Sequence, residues 1–252
     1  MTADATRPGV DSVAFEPAPA TRGSLESGEV HVLSVDLDAE PEPFLALLSE
    51  PERERAARFH FDIHRRRYVV AHGSLRRILA DELGVDPDGL AFSEGERGKP
   101  GLPAHADLEF NLSHSASCAL VALTRAAPVG VDVEERRPIE HAVTIARRYF
   151  SPAEIVAFDA LPEPERIPAF YRCWTRKEAY LKATGEGLSL PLVGFDVTLA
   201  PDESARFLRV DDRHEPETGW SLHDMSPAGN YAAAMALERT DVSVRAWRWS
   251  PS

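Results

Sequence analysis

The chain has 252 residues, a length that suits one large domain or two of ordinary size. Hydrophobic residues at 43% and charged residues at 27% give a globular balance, with no run approaching the roughly 18 apolar residues a membrane helix needs. A net charge of −13 argues against a nucleic-acid protein, and two cysteines, Cys118 and Cys173, make neither a disulfide scaffold nor a thiolate zinc site.

Residues 1–29 are rich in Ala, Pro, Gly, Ser, Thr and Glu without helical or strand period, and read as a flexible extension. They show no basic region leading into an apolar stretch, so no secretory signal is expected and a cytoplasmic location follows. Val30 to Leu37 reads as a strand. Ser49, Pro51 and Glu52 form a capping box that opens a helix to about Phe61, and a second helix runs from His64 to Leu83 and stops at Gly84. Leu90 to Gly101 reads as short strand, turn and loop. Strands follow near Phe110, over Cys118–Thr124 and over Val129–Glu134.

A helix is expected over Ile139–Phe150, then a second capping box at Ser151 and Glu154. A long helix runs from Arg166 to Thr184 and stops at Gly185. Strands are expected over Phe195–Leu199, Phe207–Val210, Trp220–Met225, Tyr231–Leu237 and Val242–Trp249. The layout repeats. Asp36 and Asp132, Ser49 and Ser151, and Gly84 and Gly185 are each offset by about one hundred residues, a weak duplication signal. The fold class is α+β, a pseudo-twofold pair of similar subdomains over 30–125 and 126–252 with the active site in the cleft between them.

Asp132 and Glu134 lie two apart in a strand otherwise made of valines, so both carboxylates share one face. That pattern suits a solvated strand face, or a hard-cation site. Trp174, Glu178 and Lys182 recur every four residues on one stripe of the long helix, where Glu178 and Lys182 make either a surface ion pair or a third carboxylate and a phosphate-facing ammonium. Residues 53–77 carry eight arginines against two acids in an otherwise acidic chain, and arginine pairs well with phosphate. Asn111-Leu112-Ser113-His114-Ser115 places hydroxyls and an imidazole before an apolar strand. A serine-hydrolase reading is weak without a nucleophile elbow, and the glycine-rich nucleotide loops are absent.

Together, Val129-Gly130-Val131-Asp132-Val133-Glu134 and Trp174-Thr175-Arg176-Lys177-Glu178-Ala179-Tyr180-Leu181-Lys182, preceded by Gly98-Lys99-Pro100 and Asn111 to Ser115, resemble the 4′-phosphopantetheinyl transferases of the larger, Sfp-like, pseudodimeric type. The resemblance spans roughly Val30 to Leu237. It implies an enzyme, acting as a monomer, that moves the phosphopantetheine arm of coenzyme A onto a serine of an apo acyl or peptidyl carrier protein and releases adenosine 3′,5′-bisphosphate. Carriers of fatty-acid, polyketide or nonribosomal-peptide systems all remain open. By position the resemblance assigns Mg²⁺ to Asp132, Glu134 and Glu178, and Lys182 to the transferring phosphate. It assigns Ser113 and His114 to the adenosine 3′-phosphate, Lys99 and Pro100 to the adenine end, and Arg67 to a phosphate. Arg55 falls where related sequences often have lysine. Glu178, alone or through a metal-bound water, is the expected base. Two alternatives stand beside this reading: a Mg²⁺-dependent phosphohydrolase acting on a diphosphate, and a non-enzymatic coenzyme A or nucleotide-binding module.

Overall fold

A computed structural model describes residues 13–19, 23–95, 97–210 and 219–251. The strands are β1 (Glu16–Pro17), β2 (Glu29–Asp36), β3 (Ser93–Glu94), β4 (Pro100–Gly101), β5 (Leu108–Ser115), β6 (Cys118–Arg125), β7 (Val129–Glu135), β8 (Phe195–Val197), β9 (Phe207–Val210), β10 (Ser221–Asp224), β11 (Tyr231–Leu237) and β12 (Ser243–Trp249). The helices are α1 (Glu42–Leu45), α2 (Glu50–Ala57), α3 (Asp62–Leu83), α4 (Ala142–Tyr149), α5 (Pro152–Ala160) and α6 (Glu163–Thr184).

The two long helices end as their glycines dictate. Gly84 and Gly185 take left-handed φ values of 67° and 68°, which a Cβ would resist. Both capping boxes form: Ser49 N donates to Glu52 at 2.8 Å and Ser151 N to Glu154 at 2.8 Å. The helix expected to reach Phe61 ends four residues earlier, because Phe61 is extended and opens α3.

Strands β1-β12-β2-β6-β5 make one sheet and β10-β11-β7 another. Helix α3 covers the first sheet, with Ile78 and Leu79 packed on Leu33, Val121 and Leu123. Helix α6 covers the second, with Ala179, Tyr180 and Ala183 on Ala232, Ala234 and Ala236. A third core lies between the sheets, where Val30, Val32 and Leu120 meet Val129, Val131, Val133 and Met235. Two helix-on-sheet halves thus meet sheet to sheet, which accords with the expected pseudo-twofold α+β pair.

Two boundaries differ from the sequence expectation. The extension expected to be flexible over 1–29 packs where it is described: β1 pairs parallel with β12, and Phe15 and Leu25 are buried. A two-residue strand has too little period to be read, and its stability comes from the edge it joins. The rest of that stretch, residues 1–12 and 20–22, lies outside the described residues. The last strand, β12, leaves the 126–252 half and pairs parallel with β2 of the first sheet, so the chain crosses the seam a second time. No helix among the described residues is long and apolar enough to cross a membrane.

Candidate active site at the seam of the two halves

The seam is built from β5 and β7. Strand β5 is the edge of its sheet and β7 the edge of the other, so β7 has backbone N–H groups with no strand to pair them. Side chains of β5 supply the acceptors. Asn111 Oδ1 accepts from Val131 N at 2.9 Å, Ser113 Oγ from Val133 N at 3.3 Å and Ser115 Oγ from Glu135 N at 3.1 Å. Period two on both strands makes this row possible. It gives the Asn-x-Ser-x-Ser pattern a joining role that the sequence reading did not assign to Asn111 or Ser115.

Period two also orients β7. Its valines fill the core between the sheets, while Gly130, Asp132 and Glu134 face α6. Gly130 allows the helix to touch the strand: a Cβ there would sit 2.1 Å from Ala179 O and 2.3 Å from Ala183 N. This close approach brings Lys182 to the carboxylate row. Lys182 Nζ donates to Asp132 Oδ1 at 2.6 Å and to Ser113 Oγ at 2.8 Å, and Ser113 Oγ donates to Asp132 Oδ1 at 3.0 Å. Glu134 accepts from Ser115 Oγ at 2.7 Å. Trp174, Glu178 and Lys182 share one stripe of α6, as their spacing predicts, and that stripe is half-buried where its neighbours are buried.

Burial raises the carboxyl pKa of Asp132 against the pull of Lys182. Burial raises Glu134 too, against Ser115, and the charge of Asp132 adds to it. Burial and then the charge of Asp132 raise Glu178, with Glu134 contributing and Lys182 opposing. Three carboxylates therefore feel one another with a single ammonium among them. The expected metal cage is not assembled: Asp132 Oδ1 is held by Lys182, Glu134 by Ser115, and no three His, Cys, Asp or Glu side chains among the described residues are grouped to hold an ion. The donor set still suits a hard cation, because it is all carboxylate and the buried Asp132 Oδ2 has no hydrogen-bond partner.

A cavity of about 260 Å³ opens beside this row, lined by Lys99 and Pro100 from the first half and Glu178, Leu181 and Lys182 from the second. Lys99 spans the seam. Its Nζ donates to Ala183 O at 3.1 Å and Val129 O at 3.3 Å, and reaches Glu109 at 3.5 Å. Burial lowers its pKa, with Glu109 opposing. Those bonds hold the loop to the end of α6, a joining role beyond the expected contact with an adenine.

A basic wall adjoins the row at His114. Loss of water around that ring, then the charges of His72, Lys182 and Arg55, lower its pKa. Arg55 lies over the Tyr68 ring at 5.7 Å, and His72 stacks on the same ring at 4.1 Å. His72 was missed in sequence. Its signal was the helical spacing from Tyr68, which only a known partner surface would have made legible. Arg67 is not gathered here: its Nε and Nη2 lie 2.9 and 2.8 Å from Asp38, which takes up its guanidinium.

Behind the stripe, Lys177 has a structural role. Its Nζ lies 2.9 Å from Glu154 and donates to Leu192 O and Phe195 O, each at 2.6 Å, in a site only 1% exposed. Glu154 also accepts from Val197 N at 2.8 Å, so the motif lysine joins α5, α6 and β8.

Comparison with known proteins places this arrangement. Residues 128–236 match the model of the 4′-phosphopantetheinyl transferase superfamily, and residues 38–125 match that of the 4′-phosphopantetheinyl transferase N-terminal domain. The chain is 38% identical over 233 residues to the 4′-phosphopantetheinyl transferase HetI of a Nostoc species, covering 90% of this chain and 94% of that one. It is 33% identical over 177 residues to the 4′-phosphopantetheinyl transferase Sfp of Bacillus subtilis, covering 70% and 77%. Among solved structures, Helicobacter pylori holo-(acyl-carrier-protein) synthase in complex with coenzyme A is similar over 43% of this chain and 96% of that one, with a TM-score of 0.34 and 19% identity.

Proposed function

Because the chain belongs to the 4′-phosphopantetheinyl transferase superfamily and is an enzyme of that kind, we propose that its seam site takes coenzyme A and transfers the 4′-phosphopantetheine arm to a serine hydroxyl of an apo carrier protein, releasing adenosine 3′,5′-bisphosphate. The observation that carries this reading is the juxtaposition of Asp132, Glu134, Glu178 and Lys182 beside a basic wall drawn from the first half.

Asp132, Glu134 and Glu178 would hold Mg²⁺, which supplies charge stabilisation at the diphosphate. The chain's own residues do the rest. Lys182 is an ammonium fixed beside the carboxylate row, where it meets the phosphate that is attacked. Arg55 supplies the fixed positive charge of the wall that faces the nucleotide phosphates, and His114 and His72 supply ring N–H donors beside it. Ser113 orients Lys182 and Asp132 and faces the same anion. Lys99 and Pro100 close one side of the cavity. Glu178 takes the proton of the incoming hydroxyl, from its place on the α6 stripe beside Lys182 and against the carboxylates of β7. Transfer of this kind asks the protein mainly for positioning and charge. Both halves of the site come from one chain, so a monomer suffices.

The test is intact-mass analysis of a purified apo carrier after incubation with coenzyme A, Mg²⁺ and the enzyme. The account expects a gain of one phosphopantetheine on a serine. Phosphopantetheine released to water would indicate the phosphohydrolase instead, and coenzyme A binding without turnover would indicate a binding module.

A further inference from the structure

Strand β7 does not end its functional face at Glu134. Arg136 follows Asp132 and Glu134 at the same two-residue spacing, about 7 Å further along the strand. Its backbone continues the pairing, with Arg136 N donating to Asn230 O at 2.7 Å. Arg136 lines a cavity of about 790 Å³ at the end of the sheet, with Asp36, Ser117, Ser226, Tyr231 and Arg248 among the walls.

The charge around Arg136 does not balance. Arg136, Arg172 and Arg176 all feel one buried carboxylate, Asp224. That carboxylate is 3.7 Å from Arg176 and accepts from Ser226 N at 3.0 Å. Arg172 has a second acid, Glu165, at 3.9 Å. Among the described residues no carboxylate lies within ion-pair distance of Arg136, and its buried Nε has no hydrogen-bond partner. A buried donor left unmade costs a fold about 1–3 kcal/mol, and more when it is charged. Such a group is retained at the expense of stability when a ligand completes it.

We infer that Arg136 binds a carboxylate side chain of the acceptor protein, seated in this cavity while the acceptor serine lies at the Glu134–Glu178 end of the row. A carboxylate docking on a chain of net charge −13 needs a local cation to receive it. Arg136 sits just past the carboxylate row and is one wall of a cavity whose volume of about 790 Å³ admits a side chain. The inference rests on the transfer reading, and it concerns the acceptor rather than coenzyme A.

The test is steady-state transfer to a purified apo carrier by wild type, Arg136→Met and Arg136→Lys, with thermal unfolding of each. Loss of one charge-assisted bond predicts that Arg136→Met raises the KM for the carrier about 10- to 100-fold. The KM for coenzyme A and kcat at saturating carrier hold, and Arg136→Lys restores part of the loss. Because the removed charge is uncompensated, the Tm of Arg136→Met is equal or higher. Acidic residues of the carrier near the modified serine are then changed singly to their amides. One of them costs wild type the same factor and costs Arg136→Met nothing further. A carrier KM unchanged in Arg136→Met overturns the inference, and so does a rise accompanied by a matching fall in Tm. Either result leaves the transfer reading intact if wild type loads the carrier. No loading by wild type overturns both.

Discussion

Replacing Gly130 by alanine should impair the site from a distance, through packing alone. The new methyl would lie 2.1 Å from Ala179 O, 2.3 Å from Ala183 N and 2.8 Å from Lys182 C, all backbone atoms that no rotamer can clear. Ordinary contact begins at 3.4 Å, so α6 must retreat by about 1.3 Å along this stretch. Overpacking of that kind costs about 1–3 kcal/mol. For a chain of this size it lowers Tm by roughly 2–12 °C. The retreat also draws Lys182 from its 2.6 Å contact with Asp132, and a misplacement near 1 Å costs about 10²-fold in rate. The assay is carrier loading at saturating coenzyme A alongside thermal unfolding, with Gly89→Ala as the control, since nothing lies within 4 Å of a Cβ there. If Gly130→Ala keeps wild-type turnover and Tm, the helix–strand contact does not set the site.

Three other outcomes follow from the same structure. Glu178→Gln should lower kcat by about 10²–10⁴-fold with coenzyme A affinity little changed, read by single-turnover loading and by equilibrium binding. Glu52 is pushed down from 4.5 to about 2: burial raises it, but hydrogen bonds from His72, Ser49 and Arg76 outweigh that. A depressed carboxyl contributes stability above its unfolded pKa and loses it as pH falls through the folded one. Glu52 therefore contributes up to about 3 kcal/mol above pH 4.5, lost towards pH 2, and Glu52→Gln should flatten the stability profile over that window. Lys177→Met leaves Glu154 buried and should cost about 3–5 kcal/mol in denaturant unfolding. Adding Glu154→Gln should recover part of it, and a double variant as unstable as the single one would contradict the pairing.

The sequence showed elements whose cause is local. Gly84 and Gly185 mark helix ends because left-handed φ is cheap only for glycine, and both capping boxes were visible because they close within four residues. The stripe of Trp174, Glu178 and Lys182 and the shared face of Asp132 and Glu134 followed from periods of 3.6 and 2. What depended on distant partners was not legible. Arg67 had the composition of a phosphate ligand, yet Asp38, 29 residues away, takes it up. Lys177 stood beside Glu178 as one more charge, and its burial against Glu154 needs α5 folded onto α6. The joining role of Asn111 and Ser115 exists only because β5 and β7 are both sheet edges. Phe15 and β1 gain their place from β12, more than two hundred residues later in the chain.

The central claim is that carboxylates of β7 and α6 share one divalent ion at the seam. Titration of the coenzyme A-loaded protein with Mn²⁺, read by electron paramagnetic resonance, tests it most directly. The account predicts one bound ion per chain in wild type and its loss in both Asp132→Asn and Glu178→Gln. No bound ion in wild type, or an ion indifferent to both substitutions, would contradict it.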